Sequence, residues 1–266
     1  MKRGLILIRG GGDLASGVAL RLRRAGLQVV ITEIAKPLAV RRTVAFAEAV
    51  YSGQVNIEGV TGRLAQAAEI PELLRGDEVP LLIDPDARIL NMDSKQWLAV
   101  VDARLTKRPP TPLPTHVPLR IGLGPGFRAP ADADAVVETQ RGHALGRVIW
   151  DGSASSDTSQ PEGDLRRVLR APAEGVFKSR ASIGQHFELG EIIAAVDDQV
   201  IAAPFAGVLR GLLKPGIAAS KGMKVGDLDP RDDPSLCYLV SDKALAVGGG
   251  VLEAILSKPE IRARLW

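Results

Sequence analysis

The run Ile8-Arg9-Gly10-Gly11-Gly12-Asp13-Leu14-Ala15 holds the residue types best suited to a chemical task. It fits G-x-G-x-x-A, with Gly10, Gly12 and Ala15 in the three small positions. Gly10 permits a tight turn, Gly12 lets backbone approach a pyrophosphate, and Ala15 lets a following helix lie close to a sheet. Free N–H groups at a helix start would face the anion, so Gly10, Gly11, Gly12, Asp13, Leu14 and Ala15 are candidate cofactor-binding residues. Glu33 follows about 20 residues on, where a carboxylate accepts ribose hydroxyls and repels a 2′-phosphate. That favours NAD-like over NADP-like ligands. Asp13 disfavours a bound pyrophosphate unless it points away or caps the helix. The plain alternative is a glycine-rich turn that only joins strand to helix.

A second run, Gly122-Leu123-Gly124-Pro125-Gly126-Phe127, strips side chains from one face, so a ligand or a neighbouring backbone can come close there. Gly122, Gly124 and Gly126 are therefore candidates too. In an open α/β sheet the crevice lies beyond the carboxyl ends of the strands, where Asp84 and Asp102 would join them. Glu138-Thr139-Gln140-Arg141-Gly142-His143 adds an acid, a cation and an imidazole. Arg141 could hold a phosphate bidentately, and His143 could transfer a proton; the bland reading is a surface turn with an ion pair. Asp102 either faces the crevice or caps a strand end with Arg104. Cys237 could carry sulfur or selenium, or be a small buried hydrophobe. Catalytic candidates are thus His143, Asp102 and Cys237. No metal site is expected: His116, His143 and His186 lie far apart, without ligand spacing.

The elements that must position these residues alternate. Apolar runs at 4–8, 27–31, 80–83, 97–101 and 119–123 suit buried strands. Helical spacing of apolar residues predicts helices over 14–25, 41–51 and 65–74. Alternation of this kind implies α/β architecture with a Rossmann-like parallel sheet. A proline-rich connector spans 107–118, and a Ser/Asp/Gly-rich stretch at 153–163 marks a boundary. The expected domains are 1–155, nucleotide-binding; 164–233, all-β; and 234–266, a helical segment packing back on the first.

Composition bounds the partners. The chain has 266 residues, 45% hydrophobic and 24% charged, with net charge +3. Its basic pairs are scattered, which argues against nucleic acid. No segment reaches the about 20 apolar residues that span a bilayer, and no secretory leader is visible, so the expectation is no membrane and a cytoplasmic protein. One cysteine cannot form an internal disulfide.

Residues 171–222 contain a repeat. Ala171-Pro172-x-x-Gly175-Val176 recurs as Ala203-Pro204-x-x-Gly207-Val208, Gly184 as Gly216 and Gly190 as Gly222, all at one offset of 32 residues. A fixed period signals duplication. The pattern resembles the biotinyl/lipoyl-like barrel-sandwich domain. The hairpin Ala195-Val196-Asp197-Asp198-Gln199 lacks the lysine that receives a prosthetic group in such carriers, so no biotin or lipoate attachment is expected.

Several longer stretches resemble one family. They are Arg9-Gly10-Gly11-Gly12-Asp13-Leu14-Ala15-Ser16-Gly17, Arg41-Arg42-Thr43-Val44-Ala45-Phe46, Asp102-Ala103-Arg104-Leu105 and Gly122-Leu123-Gly124-Pro125-Gly126-Phe127. Glu138-Thr139-Gln140-Arg141-Gly142-His143, Lys221-Gly222-Met223-Lys224-Val225-Gly226-Asp227-Leu228-Asp229-Pro230-Arg231 and Gly249-Gly250-Val251-Leu252-Glu253-Ala254 complete the set. The chain is similar to accessory proteins of the selenium-dependent molybdenum hydroxylase system (YqeB-like family), and more distantly to xanthine dehydrogenase maturation factors. The resemblance implies a role in maturing a molybdenum hydroxylase partner. Its ligand would be a nucleotide-type small molecule, either a molybdopterin dinucleotide or an NAD-like dinucleotide. Rival readings are an NAD-dependent oxidoreductase, a sulfur or selenium transferase, and a non-catalytic scaffold. Homo-oligomer formation stays open.

Overall fold

The computed structural model describes residues 4–92, 96–107, 111, 113, 116–156 and 164–265. Contacts divide the chain into two units. Unit 1 is Met1–Pro37, Ala45–Thr158 and Val240–Trp266; unit 2 is Leu38–Val44 and Ser159–Leu239. The connector expected at 107–118 and the boundary expected at 153–163 lie partly outside the described residues. Among the described residues no helix is long and apolar enough to cross a membrane.

Unit 1 begins with β1 (Leu5–Arg9), buried along its whole length, then α1 (Asp13–Arg24) and β2 (Gln28–Glu33). After α2 (Ala49–Ser52) come β3 (Gln54–Ile57), β4 (Val60–Leu64), α3 (Ile70–Arg75), β5 (Val79–Ile83) and β6 (Trp97–Asp102). The strands β7 (Leu119–Leu123), β8 (Arg128–Ala129), β9 (Ala135–Val137), β10 (Val148–Ile149) and β11 (Gly152–Ser153) follow. One nine-stranded sheet runs β10-β9-β7-β6-β1-β2-β5-β4-β3. Its centre is parallel, with Leu7 opposite Val30 and Val100, and Arg9 opposite Thr32 and Asp102.

The Rossmann-like parallel sheet expected from the sequence is corrected to a mixed sheet. Both edges are antiparallel, β3 on β4 and β10 on β9. The first edge comes from a hairpin at Glu58 and Gly59, both at positive φ, a turn that matches strand twist. Residues 41–51 are not one helix: short 3₁₀ turns at Arg42–Val44 and Phe46–Glu48 precede α2.

Two further helices, α4 (Asp242–Leu256) and α5 (Pro259–Arg262), belong to unit 1. The Ser241 hydroxyl caps α4 by accepting from the Ala244 N–H at 3.2 Å. α4 packs on α1 through glycines: a Cβ on Gly17 would lie 2.5 Å from the Ala244 carbonyl oxygen, and one on Gly248 2.7 Å from that of Gly17.

Unit 2 contains β12 (Val168–Arg170), β13 (Gly175–Lys178), β14 (His186–Phe187), β15 (Ile192–Val196), β16 (Gln199–Ala202), β17 (Gly207–Leu212), β18 (Ala218–Ala219) and β19 (Lys224–Asp229). They form two four-stranded antiparallel sheets, β12-β19-β17-β14 and β16-β15-β13-β18. The expected biotinyl/lipoyl-like barrel-sandwich is corrected accordingly: among the described residues no strand pairing joins the two sheets. The duplication is expressed as exchange. β14 of the first copy pairs with β17 of the second, and β18 of the second with β13 of the first.

The backbone bonds are reciprocal at the same 32-residue offset. Gly184 N–H donates to the Leu209 carbonyl and Gly216 N–H to that of Phe177, both at 2.8 Å. Gly190 N–H donates to the Ala203 carbonyl (2.9 Å) and Gly222 N–H to that of Ala171 (2.8 Å).

On β19, Asp227 and Asp229 are both buried. Arg210 reaches them at 2.9 and 3.0 Å, Arg231 reaches Asp229 at 2.6 Å, and Lys224 approaches Asp227 at 3.6 Å. Burial pushes the Asp227 carboxyl up, but the surrounding cations outweigh it, led by Lys224 and Arg210, and hold it below the usual range. Asp229 is held far below it, chiefly by the Arg231 hydrogen bond.

Candidate functional site

The carboxyl edge of the unit 1 sheet gathers the Gly10–Gly12 turn, Glu33, Asp84 and Asp102. The three glycines of the turn have three different reasons. Gly10 adopts φ +91°, which disfavours a side chain. At Gly11 a Cβ would lie 2.9 Å from the Ala47 amide nitrogen, and that amide donates to the Gly11 carbonyl at 2.8 Å. Gly11 is therefore required by the chain's own packing. Gly12 has φ −66° and ψ −178°, a conformation any residue adopts, and a Cβ there meets nothing within 4 Å. Among the described residues nothing demands glycine at position 12.

The amides of the turn are only partly available. Gly10 N–H donates to the Thr32 carbonyl and Gly11 N–H to Glu33 Oε2, both at 2.7 Å. Leu14 N–H donates to Asp13 Oδ1 at 2.9 Å, so Asp13 turns onto the start of α1. Ser16 fixes the first helical turn: its hydroxyl donates to the Gly12 carbonyl (2.9 Å) and accepts from the Phe46 N–H (2.8 Å). Among the described residues the Gly12 amide has no hydrogen-bond partner. The six-residue anion cradle expected from sequence thus narrows to the Gly12 end. Leu14 and Ala15 are buried in packing.

Glu33 ends β2 with its carboxylate on two amides, Gly11 (2.7 Å) and Ile34 (2.7 Å). A carboxylate has about four lone-pair sites, so two remain for hydroxyl donors. Beside it, Ile83 of β5 is the register partner of Glu33. A hollow of about 280 Å³ opens there, lined by Ala65, Gln66, Leu82, Ile83, Asp84 and Met92. Ile83 and Met92 are exposed, which gives the hollow an apolar rim.

Two arginines flank the turn. Arg9 is 6% exposed at the end of an otherwise apolar strand. It reaches Asp102 at 3.4 Å and donates to the Pro85 carbonyl at 3.1 Å, while its buried Nε has no partner among the described residues. Burial pulls the Arg9 guanidinium below its ordinary range, and Asp102 opposes that. Arg104 clamps Asp102 bidentately at 2.9 and 2.6 Å. The Arg104 side chain passes beside the turn, with Cγ 3.5 Å from where a Gly10 Cβ would stand. Neither arginine stands in a motif that announces an anion ligand. A charged residue closing an apolar strand was the available signal for Arg9.

The second glycine run is a packing device. A Cβ on Gly122 would overlap the Phe127 ring, one on Gly126 would overlap the Thr106 carbonyl, and Gly124 sits at φ +81° against the Thr139 hydroxyl. Arg141 is paired bidentately with Asp242 at 2.6 and 2.7 Å. Glu138 accepts from the Gln140 and Ser155 amides at 2.7 Å each; burial raises its carboxyl and these bonds outweigh that. His143 is exposed. Cys237, in unit 2, is fully buried, and burial pushes its thiol up, away from the reactive thiolate.

No protein-family model matches the chain. The chain resembles YqeB of Escherichia coli strain K12. The two are 46% identical over 257 residues, which is 95% of this chain and 47% of YqeB, described there as an uncharacterized protein. The chain therefore spans about half the length of the curated relative it matches. Among solved structures, an aspartoacylase family protein of Mesorhizobium loti superposes with TM-score 0.27 at 14% identity, over 85% of each chain. A succinylglutamate desuccinylase/aspartoacylase of Rhodobacter sphaeroides gives 0.27 at 12% identity, also over 85% of each chain. Superpositions at that level carry no argument about fold or chemistry. None of these relatives is described by molybdenum, selenium or hydroxylase maturation.

Proposed function

We propose that unit 1 binds a nucleotide-bearing small molecule along the carboxyl edge of its sheet. The observation that carries this is Gly12: a side chain there would meet open space, so only a group from outside the chain gives the glycine a purpose. The Gly12 N–H and the start of α1 supply a partial positive charge. Arg104, held in place by Asp102, supplies a full one beside Gly10. From there the ribose reaches the remaining lone pairs of Glu33, and the base reaches the apolar rim at Ile83 and Met92. The site is a holder. Asp102 is clamped bidentately by Arg104, so its carboxylate serves the arginine and not a proton transfer.

The test is calorimetric titration with NAD and with ADP of wild type, Gly12→Asp and Arg104→Gln. Wild type should bind at least one of the two. Gly12→Asp should weaken that binding by more than about tenfold, equivalent to about 1.4 kcal/mol. Its unfolding midpoint should not move, because the new Cβ meets nothing. Absence of binding by wild type, or equal affinity in Gly12→Asp, would overturn the reading.

A further inference from the structure

The duplication in unit 2 makes two equivalent grooves, and the chain itself fills one of them. In the second copy, residues 38–44 lie against β17: Leu212 N–H donates to the Val40 carbonyl at 2.8 Å, and Arg42 Nε donates to the Leu212 carbonyl at 2.7 Å. Val40 packs so closely that a Cβ on Gly211 would lie 3.0 Å from its Cγ1. The first-copy positions at the 32-residue offset are Arg180 for Leu212 and Ser179 for Gly211. They line a groove of about 640 Å³ floored by the buried side chains of Phe177, Phe187 and Ile193. The backbone N–H and carbonyl of Arg180 have no hydrogen-bond partner among the described residues, whereas both groups of Leu212 are satisfied by residues 40 and 42. Val176 (43% exposed) and Ile192 (64%) stand uncovered at its rim.

We infer that this first-copy groove receives an extended segment of a partner protein, seated as residues 38–44 seat in its mate. The partner's main chain would accept from the Arg180 N–H, as the Val40 carbonyl accepts from Leu212, and a β-branched apolar residue would drop onto Phe177 and Ile193, in the manner of strand addition. The charges fix the partner's flanks. The occupant of the mate carries Arg41 and Arg42, which donate to backbone carbonyls, and Asp227 of that copy is held by its own Arg210 and Lys224. In the first copy the Asp227 position is Ala195, no carboxylate among the described residues lines the groove, and Lys178 and Arg180 are exposed on it. Lys178 lies 4.0 Å from Asp197, and Arg180 has no ion-pair partner among the described residues. The segment that fits is therefore apolar at its centre and acidic after it.

Fluorescence anisotropy with two labelled nonapeptides tests this. One is KPLAVRRTV, the chain's own residues 36–44; the other is KPLAVEEEV, with an acidic flank. The acidic peptide should bind the full chain saturably at one site. The Lys178→Glu/Arg180→Glu variant, both positions being exposed, should keep the wild-type melting curve and bind at least about tenfold more weakly. Ser179→Gly, which copies Gly211, should tighten binding. Absence of saturable binding, equal affinity in the charge-reversed variant, or tighter binding of the basic peptide would overturn the inference. A wild-type dimer in sedimentation that the charge reversal dissolves would assign the groove to a second copy and overturn the partner assignment.

Discussion

Replacing Asp102 with Asn keeps its shape and removes its charge. Two guanidiniums then share the end of β1 and β6 without their shared carboxylate, Asp86 and Asp84 acting on Arg9 more weakly, and Arg9 is 6% exposed with an Nε that has no partner among the described residues. Breaking a buried pair by removing one partner costs about 3–5 kcal/mol. Arg9 keeps its bond to the Pro85 carbonyl, which places the effect near the lower limit, about 3 kcal/mol. For a unit of this size each kcal/mol moves the melting temperature by about 2–4 °C, so a fall of about 6–12 °C is expected. Trp97, buried at the start of the same strand, gives a local fluorescence signal for urea unfolding. Arg104→Gln is the control. Its side chain is 32% exposed, and a pair at that exposure is worth about 1 kcal/mol or less. The double variant Arg9→Met/Asp102→Leu, which removes both buried charges, should recover most of the loss. If Asp102→Asn moves stability by less than about 0.5 kcal/mol, the size of an ordinary surface substitution, or if Arg104→Gln costs as much as Asp102→Asn, then Asp102 is not the counter-ion that makes a buried Arg9 tolerable.

Three other outcomes are expected. Gly17→Val should destabilise by about 1–3 kcal/mol in urea titration, because the added atoms meet α4 backbone that cannot step aside; Gly12→Ala should change stability by less than about 0.5 kcal/mol. Asp227 and Asp229 are more acidic folded than unfolded. Their stabilisation is therefore complete above the ordinary carboxylate range, about pH 4, and is lost as pH falls below it. The urea midpoint of wild type should drop between pH 6 and pH 3, and Asp229→Asn should flatten that drop. Cys237 should resist a thiol reagent in native buffer and react at once in denaturant, since its sulfur is buried and its thiol is held protonated; rapid labelling of the native protein would contradict its placement.

The sequence made some of this legible and hid the rest for identifiable reasons. Local runs announced their own strands: LILIR is apolar without interruption up to Arg9, and such a run suits a strand covered on both faces. The hairpin at Glu58 and Gly59, with alternating apolar positions around a two-residue turn, is a short and weak signal for the antiparallel edge that makes the sheet mixed. Glycine spacing could not separate Gly11, crowded by Ala47, from Gly12, which faces open space, since that difference is made by a segment more than 30 residues away. The same limit applied to Gly122 and Gly126. Their missing side chains make room for Phe127 and Thr106, not for a ligand. Arg141 looked like an anion ligand until Asp242, 101 residues on, took its guanidinium. The 32-residue offset was visible as a repeat, but the exchange of strands between copies was not, because pairing partners are not written in periodicity.

The placement of α4 sets a timetable for synthesis. The helix that covers α1 is encoded after the whole of residues 159–239, so a growing chain exposes the apolar flank of α1 throughout that interval. At about 5–20 residues per second, ribosomes need several seconds to cross it. Unit 2 has all its strands before α4 is made, while unit 1 waits with glycine-lined backbone uncovered. Newly made protein is therefore most exposed to chaperones and proteases in that window, and slowing translation just before codon 242 should lengthen it.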